Sequence, residues 1–560
     1  MSKYPMAEKV FASTHKVENQ PPLLENYNMY GQDSALVEAV KREGAGWAED
    51  KLQAFGQKTG SADWIRLGFE ANAHKPVLQT HDRYGHRIDE ISYHPAYHQL
   101  MTITQGTGFN TMPWSAPGPG VHVARAAVNF LMAQVEAGHG CPITMSHASI
   151  ATLRKQPDIG ASWEEKICHS SYDPRNIPDH DKTSLTMGMA MTEKQGGSDV
   201  RTNSTKAYAI GPSGPGKAYE LVGHKYFVSA PMSDGFLMLA QTDTSENLSC
   251  FLVPRWRPDG SKNPLQIIRL KDKMGNVSNA SCETELRGAF GWMIGEEGRG
   301  IANILEMVAL TRFDCMVGSA AGMRQAVTQI LHHCSYRRAF GKRLIDQSLM
   351  QNVLADLALE AEAAMGLAMR MARWLDEESK KSHAALLVRI GTAIGKYWIC
   401  KRTPGHAYEA MECIGGSATM ENSLMPRLYR EAPINAIWEG CGNVQCLDVL
   451  RILRKQPEAL DAYWSEILTT RGENKLLDGF IADLQQEFSD PDNLEYRARG
   501  LVEKLALAMQ ASLLIQAGNS LVSDAFCAAR LGGNGTHLYG HLPAGIDCKA
   551  IIDRALPRPG

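Results

Sequence analysis

The spacing of apolar residues along the chain predicts regions of different secondary structure. From Ser34 to about Leu153, apolar positions recur every three or four residues, which is typical of amphipathic helices. Asp33 or Ser34 is the expected cap of the first helix. From Met187 to Ile294 the segments are short, rich in β-branched and aromatic residues, and separated by turn clusters. That pattern favours an antiparallel sheet or a small barrel.

From Gly300 the helical period returns in three long segments with short breaks, the pattern of an antiparallel helix bundle. A further helical stretch and a tail rich in glycine and proline follow Pro457. The chain is therefore expected to be mainly helical with a central β domain. We divide it into an arm and helical domain (1–186), a β domain (187–295), a helical bundle (296–456) and an appended helical module with a tail (457–560).

Composition narrows the class of protein. At 560 residues the chain exceeds a single core, and 58 basic against 61 acidic residues give no global bias toward nucleic acid. The 12 cysteines are scattered without CxxC pairs, which favours reduced thiols and a reducing compartment. There is no apolar run of about 18 residues and no signal or transit peptide pattern. We expect a cytoplasmic protein without a membrane span, beginning with an irregular arm.

Two motifs suggest sites but are better explained otherwise. "GPSGPGKA" at residues 211–218 fits a phosphate loop only loosely, because Ala218 stands where a magnesium-binding hydroxyl belongs and Pro212 and Pro215 lack N–H donors. We interpret it as a hairpin turn. His94 and His98 are one helical turn apart, but no third ligand lies nearby, so no metal site is expected.

Three other stretches could hold a planar, phosphate-bearing ligand. "GMAMTEKQGGSDV" (188–200) combines hydroxyls with glycines that permit close backbone approach. "VGHKYFVSAP" (222–231) puts Phe227 and Ser229 on one face of a strand, although aromatic stripes on strands are more often core. "YRRAFGKRL" (336–344) is either a solvated basic corner or a diphosphate contact.

"NAIWEGCGN" (435–443) places a single carboxylate, Glu439, in a patch that holds no other charge. In an apolar pocket the charged form of a carboxylate is disfavoured, so its pKa rises toward the range of a general base. The alternative is a carboxylate that caps the N–H groups of a following helix.

In their order, "MAMTE", "GGSD", "HKYFVS", "RRAFG", "EAMECIGG" and "IWEGCGN" resemble the flavin motifs of the acyl-CoA dehydrogenase superfamily, across roughly residues 100–455. "MTEKQGGSDV", "RLKDKMGNVSNASCE", "TRFDC" and the appended module are similar to its AidB-like branch. The resemblance implies a helical N-terminal domain, a central β domain, a C-terminal four-helix bundle and a homotetramer, a dimer of dimers.

The resemblance also implies non-covalently bound FAD between the β domain and the bundle. Glu439 would be the catalytic base for α,β-dehydrogenation of an acyl-CoA thioester, with hydride passing to flavin N5. Arg312 would help to bind CoA, and Arg337 and Phe340 would reach the FAD of a neighbouring subunit. The residues implied to contact the cofactor are Met189, Met191, Thr192, Gly197, Ser198, Phe227, Val228, Ser229, Arg337, Phe340, Ile437, Trp438, Gly440, Cys441, Gly442 and Asn443.

The chain departs from the family pattern in three places. Ala418 replaces the last glycine of a "GGxG" turn, Glu412 replaces a common glutamine, and Cys441 replaces the Thr or Ser after "EG". Glu412 would repel a diphosphate unless its side chain turns away.

The resemblance also implies an electron acceptor. Electrons would pass to an electron-transfer flavoprotein or to oxygen.

Relatives in the AidB-like branch are associated with DNA binding and protection from alkylation. Residues 459–560 hold nine basic and thirteen acidic side chains, and an acidic module repels a polyanion. We therefore rank acyl-thioester dehydrogenation above DNA binding. A flavin-bearing acyl-CoA-binding protein with little turnover is a third alternative.

Overall fold

The computed structural model describes residues 14–490, 492–533 and 538–558. The predicted fold class is confirmed, because helices of the N-terminal region, a seven-stranded sheet and a long helical region follow each other along the chain. Residues 1–13, the beginning of the predicted arm, lie outside the described part. Residues 14–33 contain neither an α-helix nor a strand.

The N-terminal region packs eight helices around a common core. They are α1 (Ser34–Arg42), α2 (Glu49–Thr59), α3 (Ala62–Ala73), α4 (Pro95–Gly106), α5 (Met112–Ser115), α6 (Val121–Val135), α7 (Gly140–Leu153) and α8 (Pro157–Ile167). The expected cap of the first helix is confirmed, since the Asp33 side chain accepts a 3.2 Å hydrogen bond from the Leu36 N–H.

The apolar pattern did not predict one feature of this mostly helical region. Strands β1 (Val77–His81) and β2 (Arg87–Ser92) form an antiparallel hairpin between α3 and α4. Exposed and less exposed side chains alternate along β1, which is the period of a strand. The turn at Gly85, whose φ is 86°, requires the left-handed conformation that glycine readily adopts.

The β domain is a sheet that closes on itself. Its strands are β3 (Met187–Ala190), β4 (Lys206–Ala209), β5 (Ala218–Ser229), β6 (Gly235–Thr242), β7 (Ser245–Pro254), β8 (Leu265–Leu270) and β9 (Ser281–Ile294). The strand order is β3-β6-β4-β5-β9-β7, with β8 on β9, and pairing of β7 with β6 completes the ring. Residues 210–217 join the antiparallel pair β4 and β5, so the hairpin interpretation of "GPSGPGKA" is confirmed.

The helical region that follows is built on long antiparallel helices. Its elements are α9 (Gly300–Tyr336), the short strands β10 (Arg338–Ala339) and β11 (Lys342–Arg343), α10 (Ser348–Glu377), α11 (Ser382–Ile414), α12 (Met425–Glu431), α13 (Ile434–Ile437) and α14 (Gly442–Lys455). At Gly395 α11 lies so close to α9 that a Cβ would be 2.3 Å from the Met316 side chain.

The appended helices are α15 (Glu458–Ile467), α16 (Lys475–Ser489), α17 (Leu494–Gln516), α18 (Ser520–Arg530) and α19 (Cys548–Ala555). Buried ion pairs attach them to the bundle, where Arg530 pairs with Asp356 and Glu360 of α10. Arg554 of α19 pairs with Glu362 of α10 at 2.9 Å and with Glu38 of α1 at 2.6 Å.

The last described residues contact the segment that precedes α1. The Arg558 N–H donates a 2.7 Å hydrogen bond to the Gln32 side chain, and the amide of Gln32 donates to the Arg558 carbonyl. No helix within the described ranges is long and apolar enough to cross a membrane. All twelve cysteines are free thiols.

Candidate functional site

The loop between α13 and α14 carries Glu439 in an unusual backbone conformation. Its φ is 58°, in the left-handed region that residues with a Cβ rarely adopt, and Gly440 follows at 92°. Such a conformation costs on the order of 1–3 kcal/mol and persists only where the surroundings hold it.

Donors from two bundle helices and from α14 hold this loop. Lys396 Nζ, which is buried, donates to the Trp438 and Gly440 carbonyls at 2.8 and 2.7 Å. Arg312 Nε donates to the Glu439 carbonyl at 2.8 Å. The side-chain amide of Gln445 donates to the carbonyls of Glu439 and Gly440 at 3.1 and 2.9 Å. These bonds satisfy the carbonyls of a turn that regular secondary structure leaves unpaired.

The Glu439 carboxylate is partly buried. Thr311 Oγ1 of α9 donates a 2.8 Å hydrogen bond to Glu439 Oε2. Burial raises the pKa of Glu439 above its ordinary value, and Thr311, Arg312 and Lys396 act in the opposite direction. In the described part of the chain this carboxylate caps no backbone N–H, so the helix-capping alternative is wrong.

The Cys141 thiol, near the start of α7, lies near groups of both this loop and the β domain. Beyond the effect of burial, Glu439 acts to raise the pKa of this thiol, and Lys273, Ser229 and Asn279 act to lower it. Burial raises the pKa of Cys141 to about 11, so the thiol stays protonated at neutral pH. Glu439 and the Ser229 end of β5 are therefore both close to Cys141.

On β5, Phe227 is 44% exposed and Ser229 partly exposed, whereas Val228 between them is buried in the β-domain core. Only the backbone of Val228 is thus available to a ligand on the open face. Ser229 Oγ and Ser281 Oγ are 3.0 Å apart, and Lys273 Nζ donates to Ser281 Oγ at 2.9 Å.

The segment after β3 is a tight loop that leaves several predicted contacts accessible. Met189, Met191 and Thr192 are partly exposed, and Gly197 and Ser198 are exposed. A Cβ on Gly197 would lie 3.1 Å from Thr192 Cγ2, so the glycine permits close contact within the loop.

A buried ion pair fixes this loop to the sheet. Lys225 Nζ lies 2.8 Å from Glu193 Oε1, and both side chains are fully buried. Glu193 also accepts hydrogen bonds from the backbone N–H groups of Ser204 and Thr205. Although burial favours the neutral acid, Lys225 and these donors lower the pKa of Glu193 to about 2.

Arg337 and Phe340 are distant from Glu439 in sequence and lie at the far end of α9. Arg337 ends the helix, and its guanidinium donates a 2.8 Å hydrogen bond to the Asn19 carbonyl of the N-terminal arm. Phe340 has a φ of 51° and is 98% exposed at the tip of the β10–β11 hairpin. An apolar side chain this exposed is suited to contact with another molecule.

The remaining predicted contacts differ in accessibility. Ile437 and Asn443 are exposed, and Trp438, Gly440, Cys441 and Gly442 are partly exposed. Glu412 is exposed on α11. Of the histidine pair, His94 accepts a hydrogen bond from the Ala96 N–H and His98 contacts the Tyr172 hydroxyl. In the described residues no group of three or more potential ligands could hold a metal ion.

Sequence reasoning missed three residues that hold the loop: Thr311, Lys396 and Gln445. Lys396 had a detectable signal, since it is the one charged residue in the otherwise apolar run "AIGKYWIC". Thr311 precedes Arg312 in the segment "TRFDC", but no pattern in the chain indicates which carboxylate the Thr311 hydroxyl contacts.

Three family models match successive parts of the chain. Residues 19–174 match the family model of the adaptive response protein AidB N-terminal domain, 188–289 the acyl-CoA dehydrogenase middle domain, and 298–453 the acyl-CoA dehydrogenase C-terminal domain. The chain is 43% identical to AidB of Escherichia coli (strain K12) over 93% of its own length and 95% of that protein. The chain belongs to the acyl-CoA dehydrogenase family.

Solved structures agree with this acyl-CoA dehydrogenase fold. Caenorhabditis elegans ACDH-11 in complex with C11-CoA is 24% identical, with a TM-score of 0.84 over 98% of this chain and 94% of that one. Acyl-CoA dehydrogenase of Bacillus anthracis complexed with FAD is 18% identical, with a TM-score of 0.61 over 82% of this chain and 79% of that one.

Proposed function

We propose that this acyl-CoA dehydrogenase binds FAD and catalyses α,β-dehydrogenation of an acyl-CoA thioester, an oxidation of a CH–CH bond. The observation that carries the proposal is Glu439: a partly buried carboxylate with a raised pKa, held in a strained loop by donors from α9 and α11. A proton-accepting group of this kind suits general-base chemistry.

The residues around β5 fit a flavin. Phe227 presents an exposed aromatic face beside the Ser229 hydroxyl, and Thr192 and Ser198 add hydroxyls on the neighbouring loop. Large apolar side chains exposed among hydrogen-bonding groups are typical of a surface that a planar, polar ring covers. The FAD complex of the Bacillus anthracis relative supports the same cofactor here.

The predicted cofactor contacts divide into three groups by position. Met189, Met191, Thr192, Gly197, Ser198, Phe227, Ser229 and the backbone of Val228 would contact the ring and its chain from the β domain. Ile437, Trp438, Gly440, Cys441, Gly442 and Asn443 would contact it from the bundle side. Arg337 and Phe340 would bind the FAD of a neighbouring subunit.

In this proposal Glu439 removes the α-proton of the thioester. Thr311 holds Oε2, and in the described residues Oε1 accepts no hydrogen bond, so Oε1 is the atom that takes the proton. Bound FAD supplies the hydride acceptor, flavin N5. Arg312 and Lys396 keep the carboxylate in place through the backbone of its loop.

The contacts of Arg312 do not favour its expected role in CoA binding. Its guanidinium is bound to the Glu439 carbonyl and to Asp448, and only 13% of the side chain is exposed. We therefore assign Arg312 to positioning of the base in place of binding CoA. The complex of ACDH-11 with C11-CoA supports an acyl-CoA as the substrate class.

We also propose that the protein is a cytoplasmic homotetramer. Each chain would consist of four domains: 1–186, 187–295, 296–456 and 457–560. The exposed Phe340 supports subunit contact through the cofactor site. An electron-transfer flavoprotein or oxygen would accept the electrons. DNA binding ranks below acyl-thioester dehydrogenation as a candidate function, because residues 459–560 carry an excess of acidic side chains.

Anaerobic titration of the purified protein with acyl-CoAs of graded chain length tests the proposal. We expect a yellow protein whose flavin absorbance near about 450 nm falls when at least one acyl-CoA is added. The fall is expected because an oxidised flavin loses this absorbance when it is reduced. A flavoprotein that binds acyl-CoA without bleaching would instead be an acyl-CoA-binding protein with little turnover.

A further inference from the structure

The outer surface of the bundle has a pocket that the proposed reaction does not use. Its volume is about 390 Å³, within the range of roughly 300–1,000 Å³ that small-molecule sites occupy. It is lined by Arg389 of α11, by Arg451, Ile452, Lys455 and Gln456 at the end of α14, and by Glu458 of α15.

Both arginines of this pocket bind one buried acid, Asp448. Arg389 donates two hydrogen bonds to its carboxylate, at 2.8 and 3.0 Å. Arg451 and Arg312 each contribute one bond of 3.2 Å. Burial favours the neutral form, but the three guanidinium groups hold the pKa of Asp448 below its ordinary value.

Positive charge is in excess here. A single carboxylate cannot neutralise three guanidinium groups, and Lys455 makes no ion pair within the ranges that the structure describes. Among the described residues, the pocket lining holds three cations, Arg389, Arg451 and Lys455, and one acid, Glu458.

The exposed cations have donors to spare. The side chains of Arg389 and Arg451 are 41% and 56% exposed, so each keeps N–H groups that Asp448 does not use. Guanidinium forks match phosphate oxygens in geometry, and a lysine adds a point charge. We propose that this pocket binds a small phosphate-bearing anion with two or more negative charges.

A small anion fits better than a nucleic acid. The pocket is bordered by Glu458, and the helices beyond it belong to the segment 459–560 with nine basic and thirteen acidic residues. A long polyanion would have to cross that acidic surface, whereas a di- or polyphosphate would contact only the basic cluster.

The pocket is connected with the Glu439 loop through two bonds. Arg312 binds Asp448 with one guanidinium nitrogen and the Glu439 carbonyl with another. An anion that draws Arg389 and Arg451 away from Asp448 leaves Arg312 as its main partner, which shifts the anchor of the loop. This coupling rests on the proposed function of Glu439, whereas anion binding itself does not.

Calorimetric titration of the purified full-length protein with inorganic pyrophosphate tests the site. We expect saturable binding that weakens as NaCl is raised, because added salt screens an exposed charge cluster. The double variant Arg451→Gln/Lys455→Gln should bind at least about tenfold more weakly. Arg454→Gln, which removes a neighbouring charge on the same helix outside the pocket lining, is the control and should bind like the wild type.

Two outcomes would overturn the assignment: absence of pyrophosphate binding, or equal binding by the double variant. Titration with ADP and with CoA, each in competition with pyrophosphate, distinguishes a free nucleotide from the phosphates of the substrate. If a DNA oligonucleotide bound more tightly than pyrophosphate and depended on the same two residues, the small-anion assignment would be wrong.

A separate measurement tests the coupling between the anion pocket and the Glu439 loop. Pyrophosphate should change the visible absorbance of the bound flavin in the wild type but not in the double variant. Unchanged absorbance with saturable binding would refute the coupling and leave the anion site intact. Failure of acyl-CoA to bleach the flavin would instead count against the proposed function, while pyrophosphate binding stays measurable.

Discussion

Thr311 of α9 and Glu439 of the α13–α14 loop are joined by a 2.8 Å hydrogen bond between the threonine hydroxyl and one carboxylate oxygen. The bond fixes the rotamer of the acid and leaves its other oxygen open. It also favours the ionised form, against the burial that raises the pKa of Glu439. The basicity of this carboxylate is therefore a balance between burial and one hydroxyl, aided by the charges of Arg312 and Lys396.

Replacement of Glu439 by glutamine tests its part in proton removal. Since general-base catalysis contributes typically about 10²–10⁴-fold, flavin reduction by a suitable acyl-CoA should slow by at least about 100-fold. FAD content should be unchanged. Glu473→Gln, which neutralises an exposed glutamate just before α16, is the matched control. Wild-type reduction rates in Glu439→Gln would assign the base to another residue.

Replacement of Thr311 by valine should shift the pH dependence. The variant keeps a similar volume but loses the donor that favours ionised Glu439, so the pKa of this acid rises further. Because the base must be ionised, the acid limb of the rate of flavin reduction should move to higher pH. Thr311→Ser retains the hydroxyl and should keep the wild-type profile. Coincident profiles for the valine and serine variants would contradict this.

Replacement of Lys396 by methionine should loosen the loop. Two carbonyls lose their donor, and each buried unsatisfied group costs roughly 1–3 kcal/mol. Denaturant unfolding should show lower stability, and the acid limb of the flavin-reduction rate should move to higher pH because a positive charge near Glu439 is lost. Lys380→Met, at an exposed position after α10, should change neither quantity.

The elements were predictable where one pattern dominates. Long apolar periodicity reveals α9, α10 and α11, and the dense turns after residue 187 reveal the β domain. The β1–β2 hairpin was not predicted, because its two short strands lie between segments with a strong helical pattern. The environment of Glu439 was out of reach for another reason: Thr311 is 128 residues away and Lys396 is 42 residues from the Trp438 carbonyl it binds. Which hydroxyl meets which acid depends on helix packing.

The buried pair of Glu193 and Lys225 leads to a stability prediction. Lys225→Met should destabilise the protein by about 3–5 kcal/mol, because an acid is left buried without its counter-charge. The double variant Lys225→Met/Glu193→Gln should recover part of this loss, as measured by denaturant unfolding. An additive double variant would show that the two side chains do not stabilise each other.

The same pair predicts a loss of stability in acid. The pKa of Glu193 falls from 4.5 to about 2 on folding, so its contribution is complete above pH 4.5 and is lost as the pH falls toward 2. Glu193→Gln should flatten this part of the curve of unfolding free energy against pH. A curve of unchanged slope would assign the acid sensitivity to other carboxylates.

Exposed Phe340 provides a test of assembly. If it contacts a neighbouring subunit, Phe340→Asp should lower the mass measured by light scattering at micromolar concentration, and removal of FAD should act in the same direction. Leu349→Asp alters another highly exposed apolar side chain and serves for comparison. An unchanged mass in both the variant and the apoprotein would exclude subunit contact through this cofactor site.

The bonds between Gln32 and Arg558 join positions that are 526 residues apart, so they form late in biosynthesis. At roughly 5–20 residues per second, a ribosome needs on the order of half a minute to two minutes to make the rest of the chain after α1 has emerged. During that interval Glu38 lacks Arg554, the arginine that pairs with it in the finished protein. The pair of Glu38 and Arg554 is therefore a late contact, and α1 completes its packing against α19 only when residue 554 is available.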